Sequence, residues 1–397
     1  MNKKKIINDP VYGFVTIPYG IIFDIIEHPY FQRLRRIKQL GLTHYVYPGA
    51  LHTRFHHALG AMHLMTQAVE VLRSKGVDIT DEEAEAVTIA ILLHDIGHGP
   101  FSHALEHTIV DVHHEELSLK FMEALNVEFG GRLSLAIEIF SGKYPKNFLH
   151  QLVSSQLDMD RMDYLNRDSF FTGVHEGVIG YDRIIKMLSV SEGELVVEEK
   201  GIYSVEKFLV SRRLMYWQVY LHKTVLSAEQ TLIRILKRMK ELAQAGRDLN
   251  VSNSLRFFLY ENNNTNNLLE NYARLDDIDI VMAIKELAEY DDFVLSFLSK
   301  GIINRRLLKI KLQNEPFGRD HINEMRHKTE KKYPIEKKDI KYLVFEGKEA
   351  ISSYSHSEEI KILFKTGEVL PISECSDHGI EPRTMMKYYL CFPMSEL

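Results

Sequence analysis

Hydrophobic positions recur at helical spacing through most of the chain. Phe23, Ile26, Phe31, Leu34 and Ile37 follow one another in this way, with Pro29 forcing a new start. A second helical stretch is predicted over Arg54 to Ser74, ending near Gly76. Asp81-Glu82-Glu83 opens a third, with acidic side chains in the first turn where they complement the helix dipole. Gly97, Gly99 and Pro100 break it just after His94-Asp95. A further helix is predicted from Gln151 through Asp168. Glu194 to Tyr203 reads as a hairpin turning at Lys200-Gly201. The asparagine run 262–267 reads as a loop between helices. Short alternating runs between Tyr342 and Ile372, broken at Thr366-Gly367, predict strands. The expectation is a mainly α fold. Residues 1–330 form a helical core, and residues 331–397 a small C-terminal α+β lobe.

Composition narrows the function classes. A chain of 397 residues with 45% hydrophobic content can bury a large core. The formal net charge of −6 offers no general basic surface to nucleic acid. The apolar run Val87–Leu93 is too short to span a bilayer, and no signal-peptide pattern opens the chain. Cys375 and Cys391 form neither a disulfide framework nor a C-x-x-C. A cytoplasmic protein is expected.

Ten of the 19 histidines lie between His52 and His114. The string His94-Asp95-Ile96-Gly97-His98-Gly99-Pro100-Phe101-Ser102-His103 places an imidazole beside a carboxylate at the end of an apolar helix. That pair can offer two ligands to one divalent ion, and the nitrogen and oxygen donors suit manganese, iron, zinc, nickel or, less well, magnesium. An isolated His-Asp is more often a solvated helix end. What changes the balance is Arg54-Phe55-His56-His57 on one helix and Asp160-Arg161-Met162-Asp163-Tyr164 on another. Arg54 shares a face with His57, and Asp160 shares one with Tyr164.

His57, His94-Asp95 and Asp160 together resemble the H…HD…D signature of the HD superfamily. The strings Ile37 to Gly41, Tyr47 to Ala50, Arg54 to His57 and His94 to His103 are similar to those of the deoxynucleoside-triphosphate triphosphohydrolases, notably the branch with the animal sterile-alpha-motif and HD-domain enzyme. The likeness runs from Asn8-Asp9-Pro10 to Tyr220-Leu221-His222-Lys223. It implies an HD-domain helical bundle in which His57, His94, Asp95 and Asp160 hold a divalent metal that lowers the pKa of a water attacking the α-phosphorus. His98, His103 and His114 would surround the α-phosphate, with His103 the acid for the departing 5′ oxygen. Arg54, Arg161 and Arg212 would grip the phosphate chain, although Arg213 is an alternative to Arg212 that reads better as a surface charge. Gln39, Leu40, Tyr164, Asp168 and Tyr220 would meet sugar and base, whereas Tyr216 and Trp217 read as core packing. Asn8, Glu27, Gln32 and Arg35 match a regulatory nucleotide site between subunits. The partners so implied are a deoxynucleoside triphosphate, with dGTP a candidate substrate or activator, and further copies of the chain in a dimer or tetramer. His56 departs from the pattern, since the animal enzyme has glutamate there. Three other readings stand beside this one: a different HD phosphohydrolase such as a nucleotidase or phosphodiesterase, a catalytically idle nucleotide sensor, and a single-strand nucleic-acid binder or nuclease. The last lacks a basic-aromatic stripe.

Overall fold

The computed structural model describes residues 5–101, 104–106, 108–110, 112–261, 267–352, 359–377 and 384–394. The fold is mainly α, with small sheets at its margins. At its centre is the helix Asp81–Leu93, buried along nearly its whole length from Ala84 onward. Its start is set by Thr80. The Thr80 Oγ1 accepts from the Glu83 amide (3.2 Å), and Glu83 Oε2 accepts from the Thr80 amide (2.8 Å). This reciprocal cap leaves the acidic first turn facing the positive end of the dipole. The helix packs against Arg54–Ser74 and Ser134–Phe140. Fully buried side chains such as Leu92, Met62 and Phe121 fill the space between helices. Each contributes about 1.5–3 kcal/mol of burial.

The predicted Arg54–Ser74 helix has those same limits, and Gly76 follows it with φ 84°. The stretch predicted as one helix from Gln151 to Asp168 is two, Asn147–Val153 and Met159–Thr172. Asp158 causes the break. Its carboxylate accepts from the Ser155 amide (2.8 Å) and the Arg161 amide (2.7 Å), so the chain turns and restarts on a capped end.

The hairpin is also displaced. Glu194–Glu198 is its second strand and pairs antiparallel with Leu188–Ser191. The turn is Glu192-Gly193, both at positive φ, and Lys200-Gly201 instead leads into the helix Ile202–Met215. Two consecutive left-handed residues match the twist of the flanking strands, which Lys-Gly at the other end did not have to supply.

The strands after residue 331 join partners from before it. Lys361–Leu363 runs parallel to Glu194–Glu198 and pairs with Val369–Pro371, giving a four-stranded sheet. Thr384–Phe392 lies between Lys309–Gln313 and Phe345–Ser352. An N-terminal hairpin that the hydrophobic pattern did not announce pairs Ile6–Asp9 with Gly13–Thr16. Of the asparagine run, 262–266 lies outside the described residues, between the helices Asn253–Tyr260 and Leu268–Arg274. Among the described residues no helix is long and apolar enough to cross a membrane.

Candidate metal centre and anion pocket

His57 sits in the first turn of the Arg54–Ser74 helix, His94 just past Leu93, and Asp160 in the first turn of Met159–Thr172. Three segments distant in sequence thus meet. Asp160 Oδ1 is 3.1 Å from His57 Nε2 and 3.4 Å from His94 Nε2, and the two Nε2 atoms are 3.4 Å apart. Asp95 stands beside them, its Oδ1 3.4 Å from His94 Nε2 and its Oδ2 3.7 Å from His57 Nε2. Asp95 Oδ2 also accepts from Arg54 Nη1, and Oδ1 lies 3.2 Å from His98 Nε2.

The outer partners decide which nitrogens face the centre. His94 Nδ1 lies 2.6 Å from the Ile91 carbonyl, which can only accept, so that nitrogen carries the proton. His57 Nδ1 lies 2.7 Å from Asp163 Oδ2, with the same consequence. Both Nε2 atoms are thereby turned toward Asp160. Asp163 is held by Arg167, whose Nε and Nη2 donate to its two oxygens at 2.9 Å each. Arg167 Nη1 donates to Asp9 Oδ2 (2.7 Å), which ties the N-terminal hairpin to the same chain of bonds. Gly60 makes room for this pair, because a Cβ there would stand 2.0 Å from Asp163 Oδ1.

The electrostatics follow from the same contacts. Burial lowers His57, but hydrogen bonds to Asp160 and Asp163 outweigh it and push it up to about 10. At His94 burial likewise lowers the pKa, but Asp95 and Asp160 outweigh it and the shift is upward. Against their own desolvation, Asp160 is held below the carboxylate range by the two imidazoles, and Asp95 by His94, His98 and Arg54. The centre thus sets two oriented imidazoles against two carboxylates, with Arg54 beside Asp95. Two imidazole nitrogens and two carboxylates with committed outer partners are a donor set that fits a divalent cation, which would take the place of the protons that the imidazoles share with Asp160.

His56, next to the centre, points back along its helix. Its Nδ1 lies 2.9 Å from Thr53 Oγ1 and 3.2 Å from the Thr53 amide. It fills the capping place a glutamate would take, and burial lowers its pKa, as does Arg167.

The loop after Asp95 runs tightly against its neighbours. A Cβ on Gly97 would stand 2.1 Å from the His114 carbonyl oxygen, and one on Gly99 2.7 Å from the Tyr272 hydroxyl. Arg33, fully buried, donates to the carbonyls of Ile96 (3.3 Å), His98 (2.9 Å) and Leu275 (2.9 Å). His98 and His114 stack at 3.9 Å between ring centres. Glu106 Oε1 lies 2.6 Å from His114 Nδ1. Burial, then Arg54, lowers His98 to about 3, so that it stands neutral. His103 lies outside the described residues.

On the other side of Asp160 lies the group expected to meet a sugar. Asp168 Oδ2 accepts from the Tyr220 hydroxyl (2.7 Å), and its Oδ1 is 2.7 Å from His52 Nε2. Tyr164 and Tyr220 cross at 6.3 Å and 73°. Burial raises Tyr164 far above its usual range, and its charged surroundings include Arg212, Arg161 and Asp160. Arg212 is buried and donates to Gln156 Oε1 (3.0 Å), whereas Arg213 is exposed. Arg161 is paired with Asp158. Gln39 and Leu40 are half-buried, and the Gln39 amide donates to the His52 carbonyl (3.0 Å). Tyr216–Tyr220 forms a turn of π-helix that brings Tyr220 onto Asp168, a feature frequent at functional sites.

Asn8, Glu27 and Arg35 line a separate cavity of 440 Å³ together with Phe55. Gln32 does not line it but accepts from Arg35 Nε (2.8 Å), and the guanidinium lies 3.6 Å from the Phe55 ring centre.

Sequence reasoning did not single out Asp163, Arg167, His52, Glu106 or Arg33. Asp163 and Arg167 are four apart on the Asp160 helix, and that spacing was readable. Arg33 carries no such signal, since it stands among Arg35 and Arg36 like a surface residue.

Two family profiles match the chain, an HD domain over residues 54–168 and an HD associated region over residues 179–338. An uncharacterized protein of Bacillus subtilis is 35% identical over 78% of this chain and 72% of its own. A deoxynucleoside triphosphate triphosphohydrolase SAMHD1 homolog of Dictyostelium discoideum is 32% identical over 63% of this chain, so that the match spans about half of that protein (54%). The crystal structure of a phosphohydrolase from Bacteroides thetaiotaomicron superposes with a TM-score of 0.96 at 53% identity, covering 99% of this chain and 100% of that one.

Proposed function

This chain belongs to the HD-domain phosphohydrolases, and from that premise we propose that it cleaves deoxynucleoside triphosphates into deoxynucleoside and triphosphate. The observation that carries the proposal is the adjacency of two clusters on one helix. Asp160 faces His57 and His94, and Asp168, two turns on, accepts from Tyr220. One end suits phosphate chemistry and the other a sugar hydroxyl. Likeness to a deoxynucleoside triphosphate triphosphohydrolase supports the same reading.

His57, His94, Asp95 and Asp160 would hold a divalent cation, which when bound polarises a phosphoryl oxygen and lowers the pKa of water. Arg54, Arg161 and Arg212 would orient the phosphate chain through fork-shaped donors. Neutral His98, and His114 steadied by Glu106, would donate to the phosphoryl oxygens as charge develops on them. Water oxygen bonds to the α-phosphorus, the bond from phosphorus to the 5′ oxygen breaks, and His103 would give its proton to that oxygen and regain the one the attacking water releases. Asp168 would accept from the 3′ hydroxyl, while Tyr164 and Tyr220 close the 2′ side against ribonucleotides. Gln39 and Leu40 would border the base.

Product analysis separates this from its alternatives. Each dNTP is incubated with manganese-loaded protein and the products are resolved by anion exchange. Triphosphate plus nucleoside is expected. Monophosphate plus pyrophosphate, or free phosphate, would indicate a different HD phosphohydrolase, and no turnover with any metal or second dNTP would indicate a nucleotide sensor.

The cavity of Asn8, Glu27 and Arg35 would take an activating nucleotide, dGTP being the first candidate, with a second subunit closing over it. Added dGTP should then raise the solution mass toward a dimer or tetramer. A fixed mass with hyperbolic kinetics would contradict this.

A further inference from the structure

Two adjacent aspartates open the helix Asp277–Leu287, and their carboxylates face different ways. Asp276 caps its own helix. Its carboxylate accepts from the Ile278 amide (2.9 Å), and its amide donates to Asp279 Oδ2 (2.9 Å). Asp277, only 4% exposed, reaches away from the helix instead. Its Oδ2 accepts from the Lys38 amide and its Oδ1 from the Phe101 amide, each at 3.0 Å. One carboxylate thus joins two segments that lie 239 and 176 positions before it. The segments also meet each other, with Lys38 Nζ 5.7 Å from the Phe101 ring centre.

Both segments carry residues of the candidate site. Lys38 precedes Gln39 and Leu40, and pairs in an isolated bridge with Thr53, the residue before Arg54. Phe101 follows His98 by three positions and stands at φ 52°. A residue with a side chain keeps that left-handed backbone only where its surroundings hold it. Lys38 and Phe101 lie in a bridge and a turn, so no helix fixes their spacing. A buried amide that loses its acceptor is costly, and each segment is therefore held where Asp277 stands. We infer that Asp277 is a positioning residue, setting the distance between the Gln39-Leu40 wall and the loop that carries His98 and leads to His103. The assignment of those walls to base and phosphate rests on the proposed dNTP hydrolysis, whereas the tie between them does not.

Hydrogen exchange of the full chain, read in peptides covering residues 36–41 and 97–101, tests the tie. Exchange in both peptides should quicken about tenfold in Asp277→Ala, as expected when a buried amide loses its acceptor. Asp276→Ala removes the helix cap but not the tie, and should leave both peptides as they are. In dNTP turnover with manganese, kcat/KM should fall about 10- to 100-fold in Asp277→Ala, the scale of a contact misplaced by about 1 Å. Asp277→Asn keeps one acceptor oxygen and should fall between. Manganese affinity should stay unchanged in all three variants, and thermal melting verifies that each is folded. Unchanged exchange in Asp277→Ala would overturn the tie. Quickened exchange with unchanged kcat/KM, or a loss of manganese affinity, would overturn the positioning role. Wild-type protein that turns over no dNTP would instead overturn the proposed hydrolysis, and exchange alone would then decide on Asp277.

Discussion

At the scale of single residues, the orientation of His57 depends on a group that never faces the centre. Asp163 holds the Nδ1 proton at 2.7 Å, so that Nε2 is presented to Asp160. Asp163→Asn keeps the shape but removes the charge. Manganese affinity measured by calorimetry should fall about 10- to 100-fold, the usual cost of losing such an outer partner. An unchanged affinity would mean that the imidazole is fixed by packing alone. The set His57, His94, Asp95 and Asp160 was readable through the resemblance, since an isolated His-Asp pair is more often a solvated helix end. Asp163 was harder, since a carboxylate three residues past Asp160 looks like another helix-surface charge until its burial is known. His56 shows the converse. Its position beside the centre suggested an electrostatic role, and its side chain caps its own helix instead.

At the scale of elements, helix starts with strong caps were legible to the residue. The start at Asp81, read from its acidic first turn, is one, and Arg54 is another. The break at Asp158 was missed because the hydrophobic pattern runs through it, and only the carboxylate's bonds to two amides reveal the turn. The hairpin was misplaced because Gly193 and Gly201 compete as turn residues within ten positions, and pairing with Leu188–Ser191 decides between them. Strand and helix also meet in a way no local pattern shows. Glu229, on the helix Lys223–Gln244, faces Glu349, on the strand Phe345–Ser352. Burial first, and then Glu349, raises Glu229 from 4.5 to about 8. The folded state therefore binds more protons than the unfolded one between these values, so stability declines as pH rises through that window. The melting temperature should fall from pH 5.5 to 8.5, and Glu229→Gln should flatten the decline. Parallel profiles for the two proteins would show that Glu229 does not titrate there.

At the scale of the whole molecule, the chain folds back on itself more than its linear pattern implied. The strands after residue 331 complete sheets begun by Leu188–Glu198 and Lys309–Gln313. Arg33 bonds the loop after Asp95 to the Leu275 carbonyl, 242 positions away. Such contacts leave no trace in periodicity, because an arginine that anchors three carbonyls is written with the same letter as one in water. The convergence of residues 57, 94 and 160 was expected from resemblance and not from pattern, and every functional statement about this chain passes through it. The direct test is diffraction from manganese-soaked crystals with data collected at the manganese edge. One anomalous peak per chain, bounded by His57, His94, Asp95 and Asp160, is the predicted result. A peak on His98, Glu106 and His114 instead, or none at saturating manganese, would contradict the account.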